Sequence, residues 1–207
     1  MKLITIDGNA MGQNIYLYFD ENTREGVLID AGDSEAEIAD AISQNGVTIK
    51  AILLTHGHYD HIACANEIRA LTGAEICCHA AEKNMLENPE LNLSTRFRRL
   101  IKVTPDRLLA DGDIFDIAGT KLRVIHTPGH SPGCLCFYDE KSALVFTGDT
   151  LFKDAVGRSD LPLGSHDDLV SGIKEKLFSL PDNVKAYPGH GEATDIGYEQ
   201  RFNPFCS

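Results

Sequence analysis

The sequence predicts an α/β protein made of two packed β-sheets with helices on the outside. Three observations lead there. Apolar, strand-like runs recur along the whole 207 residues. They come both as hairpin neighbours and in alternation with helical segments, a mixture that calls for more than one sheet. No linker or low-complexity stretch separates them. One domain over residues 1–207 is therefore expected, with two similar halves meeting near residue 110, although the halves share no clear repeat.

The elements follow in order. KLITI, NIYLYF and GVLIDAG read as three opening strands. SEAEIADAISQNG begins with a Ser34 N-cap, has Glu37 three residues on and ends at Gly46, the signature of a capped helix. KAILLT is a buried strand, His61 to Leu71 a helix closed by Gly73, and AEICCH a strand. Residues 80–102 carry a helical pattern interrupted at Pro89. DIFDIAGTKLRVIHT is a hairpin turning near Gly119, and CLCFYDE and ALVFTGD are two more strands. HDDLVSGIKEKLFSL is a helix with acidic residues in its first turn, where they suit the dipole. VKAYPG is the last strand, and the tail YEQRFNPF is too short for another domain.

A net charge of −12 argues against nucleic acid or an anionic membrane as a partner, since both call for a basic face. No run approaches the roughly 20 apolar residues that span a bilayer. The N-terminus MKLITIDGNAMG reads as a strand and a turn, without the apolar core of a signal peptide. The six cysteines form neither a CxxC motif nor a disulfide framework, and Cys77 and Cys78 point to opposite faces of one strand. They read as small buried hydrophobes in a reducing cytoplasm, which is the expected location.

One seven-residue stretch, THGHYDH, stands apart. It lies where a buried strand gives way to a helix and offers His56, His58, Asp60 and His61 together. Imidazoles and carboxylates are the donors that hold zinc, iron or manganese. Three further candidates each lie just past a strand beside a glycine: His130 in HTPGHSPG, Asp149 in FTGDTLF and His190 in YPGHGEAT. Seven donors are too many for one tetrahedral ion with an open position and suit two ions that share a carboxylate and a water. His79, His126 and His166 read as structural.

In this order, THGHYDH, TPGHSPG, TGDTLF and PGHG resemble the metallo-β-lactamase-fold hydrolases over nearly the whole chain. GRSDLP at 157–162 and the closing NPF bring the sequence nearer the short, single-domain relatives of glyoxalase II. The resemblance implies an αββα sandwich, two mixed sheets flanked by helices, with the site along one edge. It assigns His56, His58 and His130 to a first ion, Asp60, His61 and His190 to a second, and Asp149 as the bridge. Asp30 in LIDAG matches an acid that orients a ligand histidine. The implied cofactor is two divalent transition-metal ions, zinc first, although iron and manganese suit the same donors.

Two ions roughly 3.5 Å apart generate a bridging hydroxide near neutral pH and polarise a carbonyl. Asp60 is expected to orient the water as well as bind metal. No GxSxG supplies a serine nucleophile. The resemblance narrows the substrate to a small-molecule acyl thioester such as S-lactoylglutathione. A persulfide dioxygenase with one iron on His56, His130 and Asp149, a lactonase, and a non-catalytic metal-binding module are the alternatives. Larger glyoxalase II enzymes bind glutathione with a C-terminal helical region, and this chain stops about where that would begin. Anion recognition would then fall to Lys153 and Arg158, or to Arg96, Arg98, Arg99 and Lys102 in RFRRLIK, although that run reads first as a solvated helix face.

Overall fold

A computed structural model describes residues 1–7 and 11–206. Part of the turn expected after the first strand falls outside them. The first sheet holds β1 (Lys2–Asp7), β2 (Asn14–Phe19), β3 (Glu25–Ile29), β4 (Thr48–Leu53), β5 (Glu75–His79) and β6 (Arg107–Leu109), in that spatial order. The first three pair antiparallel and the last three continue parallel from β3. The parallel crossovers carry α1 (Glu35–Asn45), α2 (Tyr59–Ile62), α3 (Ala65–Thr72) and α4 (Lys83–Glu87).

The second sheet is built from β7 (Ile114–Ile117), β8 (Thr120–His126), β9 (Leu135–Asp139), β10 (Leu144–Gly148), β13 (Lys185–Pro188) and β14 (Thr194–Asp195). Their order is β14-β13-β10-β9-β8-β7, with only β10 and β13 parallel. A small hairpin, β11 (Leu151–Phe152) with β12 (Ala155–Val156), follows β10, and α5 (His166–Gly172) and α6 (Ile196–Phe202) cover this half. The sheets divide between Leu109 and Ile114, where the sequence placed its midpoint.

Strand periodicity explains the layering. In β2, Ile15, Leu17 and Phe19 face one way and pack with Ile38 of α1 and Ile68 of α3. Tyr16 and Tyr18 face the other way and meet Phe146 of β10 and Phe137 of β9 between the sheets. The outer face of the second sheet, with Cys136, Val145 and Ala186, is covered by Leu169, Ile173, Leu177 and Ile196. Each strand of the centre is thus buried on both faces, and the result is an αββα sandwich of mixed sheets. Among the described residues no helix is long and apolar enough to cross a membrane.

Several local expectations need correction. α1 ends at Gly46 in the left-handed conformation, but its Ser34 N-cap makes no side-chain capping bond. The helix expected from His61 to Leu71 is broken between α2 and α3, because Cys64 N–H bonds the Ala31 carbonyl instead of the preceding turn. Residues 80–102 form only α4 and two short 3₁₀ turns. Asn92 takes over there, bonding Ser94 N–H and the Ile101 carbonyl. The helix from His166 loosens into a π turn at Ile173–Leu177. The tail forms α6, and β6, β11, β12 and β14 were not anticipated.

Candidate metal centre

All seven expected donors come together at one edge of the sandwich. His56 and His58 follow β4, and Asp60 and His61 lie on α2. His130 follows β8, Asp149 follows β10 and His190 follows β13. Strand ends of both sheets therefore feed one point.

His130 Nε2 lies 2.9 Å from His58 Nδ1 and 3.2 Å from His56 Nε2. His190 Nε2 lies 3.1 Å from Asp60 Oδ2, and His61 Nε2 lies 3.7 Å from that oxygen. Asp149 stands between the clusters, with Oδ1 3.3 Å from His61 Nε2 and Oδ2 3.6 Å from His130 Nε2. Three groups could hold an ion: His56 with His58 and His130, His56 with His61 and Asp149, and Asp60 with His61 and His190. Gly189 is needed for this closeness, since a Cβ there would collide with Asp149 and His61.

Hydrogen bonds set which ring nitrogen is free. His130 Nδ1 donates to the Arg158 carbonyl at 2.7 Å, and His61 Nδ1 to Asp30 Oδ2 at 2.8 Å. Asp30 also accepts from Thr55 Oγ1, so the Thr55 oxygen accepts from His56 Nδ1 at 3.1 Å. Each of these three rings thus turns a lone pair on Nε2 toward the cluster. A metal fits what remains: His61 Nε2 and Asp149 Oδ1 are buried and without hydrogen-bond partners, and facing lone pairs need a cation between them.

The charges divide the cluster. Burial, then the neighbouring His61 and His130, pushes His56 well below the usual imidazole range. Burial, then His130, pushes His58 down to about 3. Burial also opposes protonation of His61, but Asp149, Asp30 and Asp60 outweigh it and raise the ring well above its usual value, so without a metal a proton takes the place on Nε2 that a cation would hold. Burial opposes the charge on Asp149 too, yet His61 and the other imidazoles hold it well below the usual carboxylate range. One side is a trio of imidazole nitrogens, and the other mixes imidazole with carboxylate.

Beside the donors lies a cavity of about 470 Å³. Its walls include Tyr59, Leu93, Phe97, Phe152, Val156 and Leu161, with His58, Asp60, His130, Asp149 and His190 at the base. Among the described residues lining it there is no serine, threonine or cysteine. Arg158 lines it, but its guanidinium is held by Asp160. Lys153 is not among the lining residues and pairs with Glu192 at 2.7 Å.

RFRRLIK is not a helix face. Phe97 stacks on Tyr59 at 4.6 Å, Arg96 joins the cavity wall, and Arg99 bonds Asp33 and Tyr59. Tyr59, inside THGHYDH, also lines the cavity. The other apolar wall residues carried no sequence signal. His79 and His126 stack on each other at 3.9 Å, away from the donors.

The model of the metallo-β-lactamase superfamily matches residues 8–190. The chain belongs to that superfamily. Hydroxyacylglutathione hydrolase GloC of Haemophilus influenzae is 34% identical over 210 residues, which cover 100% of this chain and 99% of that protein. The crystal structure of the BLEG-1 B3 metallo-β-lactamase matches with a TM-score of 0.94 and 34% identity, over 100% of both chains. TTHA1623 in a di-iron-bound form matches with a TM-score of 0.83 and 35% identity, over 99% of this chain and 100% of that one. The metallo-β-lactamase fold and the His/Asp clusters together indicate divalent-metal binding.

Proposed function

We propose that the protein is a metal-dependent hydrolase of small acyl thioesters, with S-lactoylglutathione as the first substrate to test. The observation that carries this reading is the complete set of seven donors, five of them lining a cavity in which the described residues include no serine, threonine or cysteine nucleophile. Similarity to GloC along the whole chain supports the thioester. In this reading His56, His58 and His130 would hold one ion, Asp60, His61 and His190 the other, and Asp149, which stands between the two clusters, would serve both. The bound pair would supply a hydroxide near neutral pH and Lewis acidity toward the carbonyl.

The chain's own residues do the rest. Asp60, fixed by His190, accepts a hydrogen bond from the attacking water and aims it. Tyr59, Phe97, Phe152 and Leu161 surround the acyl group and keep other water away. A thiolate leaves without needing a proton, so the lining need not supply a general acid. Zinc-loaded protein should hydrolyse S-lactoylglutathione, followed by loss of thioester absorbance. Absence of turnover on that and on other acyl thioesters would overturn the reading.

Likeness to the BLEG-1 structure favours a second reading, β-lactam hydrolysis. An amide nitrogen leaves far more readily once protonated, and the lining hydroxyl of Tyr59 already donates to Asp33. A cephalosporin in the same assay should therefore turn over at least a hundredfold more slowly than the thioester.

A further inference from the structure

Glu82 is fully buried, and no cationic side chain pairs with it among the described residues. It lies on the 3₁₀ turn after β5, outside every motif, yet its carboxylate reaches both histidine loops. Oε2 accepts from Gly57 N–H at 2.8 Å, on the residue between His56 and His58. Oε1 accepts from Ser131 Oγ at 2.7 Å and from Gly133 N–H at 2.6 Å, just after His130. The fit is close on both sides. A Cβ on Gly57 would lie 2.9 Å from Oε2, and one on Gly133 would lie 2.7 Å from the Glu82 Cγ.

We infer that Glu82 is a positioning residue for the first ion, tying the loops of His56, His58 and His130 into one three-nitrogen site. A carboxylate taken out of water without a counter-charge is a costly choice for packing alone. Its two oxygens divide between two loops 74 residues apart in sequence, and those loops carry these three imidazoles. None of its bonds goes to α2, which carries Asp60 and His61, or to the loop of His190. Those are placed by other contacts: Ala31 N–H to the His61 carbonyl, and Asn14 N–H to the Gly189 carbonyl. Glu82 therefore acts first on the three-nitrogen site.

Glu82→Gln keeps the shape but turns an NH₂ toward one of the loops, donor against donor, so that one loop is released. The test is a chelator-competition titration of the metal-free protein with Zn²⁺, repeated with Co²⁺ so that the electronic spectrum reports each site. The expected result is a first-site affinity lower by 10–100-fold, as for other groups that orient a ligand, with the second site within threefold. Circular dichroism should stay unchanged. If Glu82→Gln does not fold, Ser131→Ala carries the test, since it removes one donor only and should weaken the same site about three- to tenfold.

The assignment rests on the two-ion reading, and the titration separates the two. Wild-type protein that binds fewer than two ions sinks that reading. Wild-type protein that binds two, with the variant unchanged or weakened equally at both sites, sinks the Glu82 assignment alone.

Discussion

Asp30 Oδ2 lies 2.8 Å from His61 Nδ1, and through that contact a buried carboxylate outside the donor set decides how the ring presents its other nitrogen. The same oxygen accepts from Thr55 Oγ1 at 2.8 Å, and Thr55 in turn accepts from His56. One acid therefore orients an imidazole in each cluster, directly in one case and through a hydroxyl in the other. Asp30 is also in the left-handed conformation at φ 62°, which asparagine adopts with little strain.

Asp30→Asn should accordingly preserve the backbone but lose the negative acceptor. Metal affinity is expected to drop about 10–100-fold, more at the His61 side than at the His56 side. Isothermal titration of metal-free protein reads this. Unchanged affinity at both sites would mean that the sandwich alone orients the rings.

His58 offers a cleaner deletion. Its Nε2 has no hydrogen-bond partner, and its Nδ1 stands against another ring nitrogen at 2.9 Å. Removing the ring leaves no buried donor stranded, so metal-free His58→Ala should keep its stability within about 1–2 kcal/mol. Bound metal should fall from close to two ions per chain toward one, and thioester turnover by at least a hundredfold. Atomic absorption and a melting curve check both halves. In wild-type protein, chelation should lower Tm, because ligand at about a thousandfold over Kd stabilises by about 4 kcal/mol.

The thiols give a prediction with a definite sign. Burial raises Cys64 and Cys78 to about 12 and Cys136 to about 11, and pushes Cys134 well above its usual value. In the folded chain they keep their protons at pH 8, and the thiolate is the nucleophile. Iodoacetamide should leave native protein unlabelled at pH 8 and its activity intact. The unfolded chain releases these protons near pH 9 while the folded chain retains them. Stability is therefore lost as pH rises past about 9. A urea midpoint lower at pH 10 than at pH 8 is the expected outcome, and rapid labelling of Cys134 in native protein would contradict it.

The donors could be found in the sequence because so many imidazoles and carboxylates beside glycines at strand ends have little other purpose. The strands could be found because burial on both faces makes them apolar throughout, as in NIYLYF. What escaped depends on distant partners. Glu82 is bonded to residues 57, 131 and 133, and AAEK carries no local trace of that. The break before α3 depends on the Ala31 carbonyl, and the non-helical course of RFRRLIK depends on the side chain of Asn92. β11, β12 and β14, at two residues each, are too short for any periodicity to register.

Selectivity follows from the charges on the cavity wall. Arg158 is held by Asp160, and Arg99 by Asp33, so Arg96 is the lining arginine with no carboxylate partner among the described residues. It is exposed, and an exposed ion pair contributes about 0.2–1 kcal/mol. By the tenfold-per-1.36 relation that is at most about fivefold. Arg96→Glu should raise KM for a glutathione thioester by up to about fivefold to tenfold, the reversal adding repulsion, and leave kcat alone. The matched thioester of a small neutral thiol should be unaffected. Arg99→Ala acts differently, because it frees the turn that holds Phe97 against Tyr59, and it should weaken both substrates alike. The measurement is kcat/KM for the two thioesters in wild type and each variant. Wild-type preference for glutathione beyond about a thousandfold, roughly 4 kcal/mol, would need several buried contacts to the carrier, and a wall with one unpaired cation does not provide them.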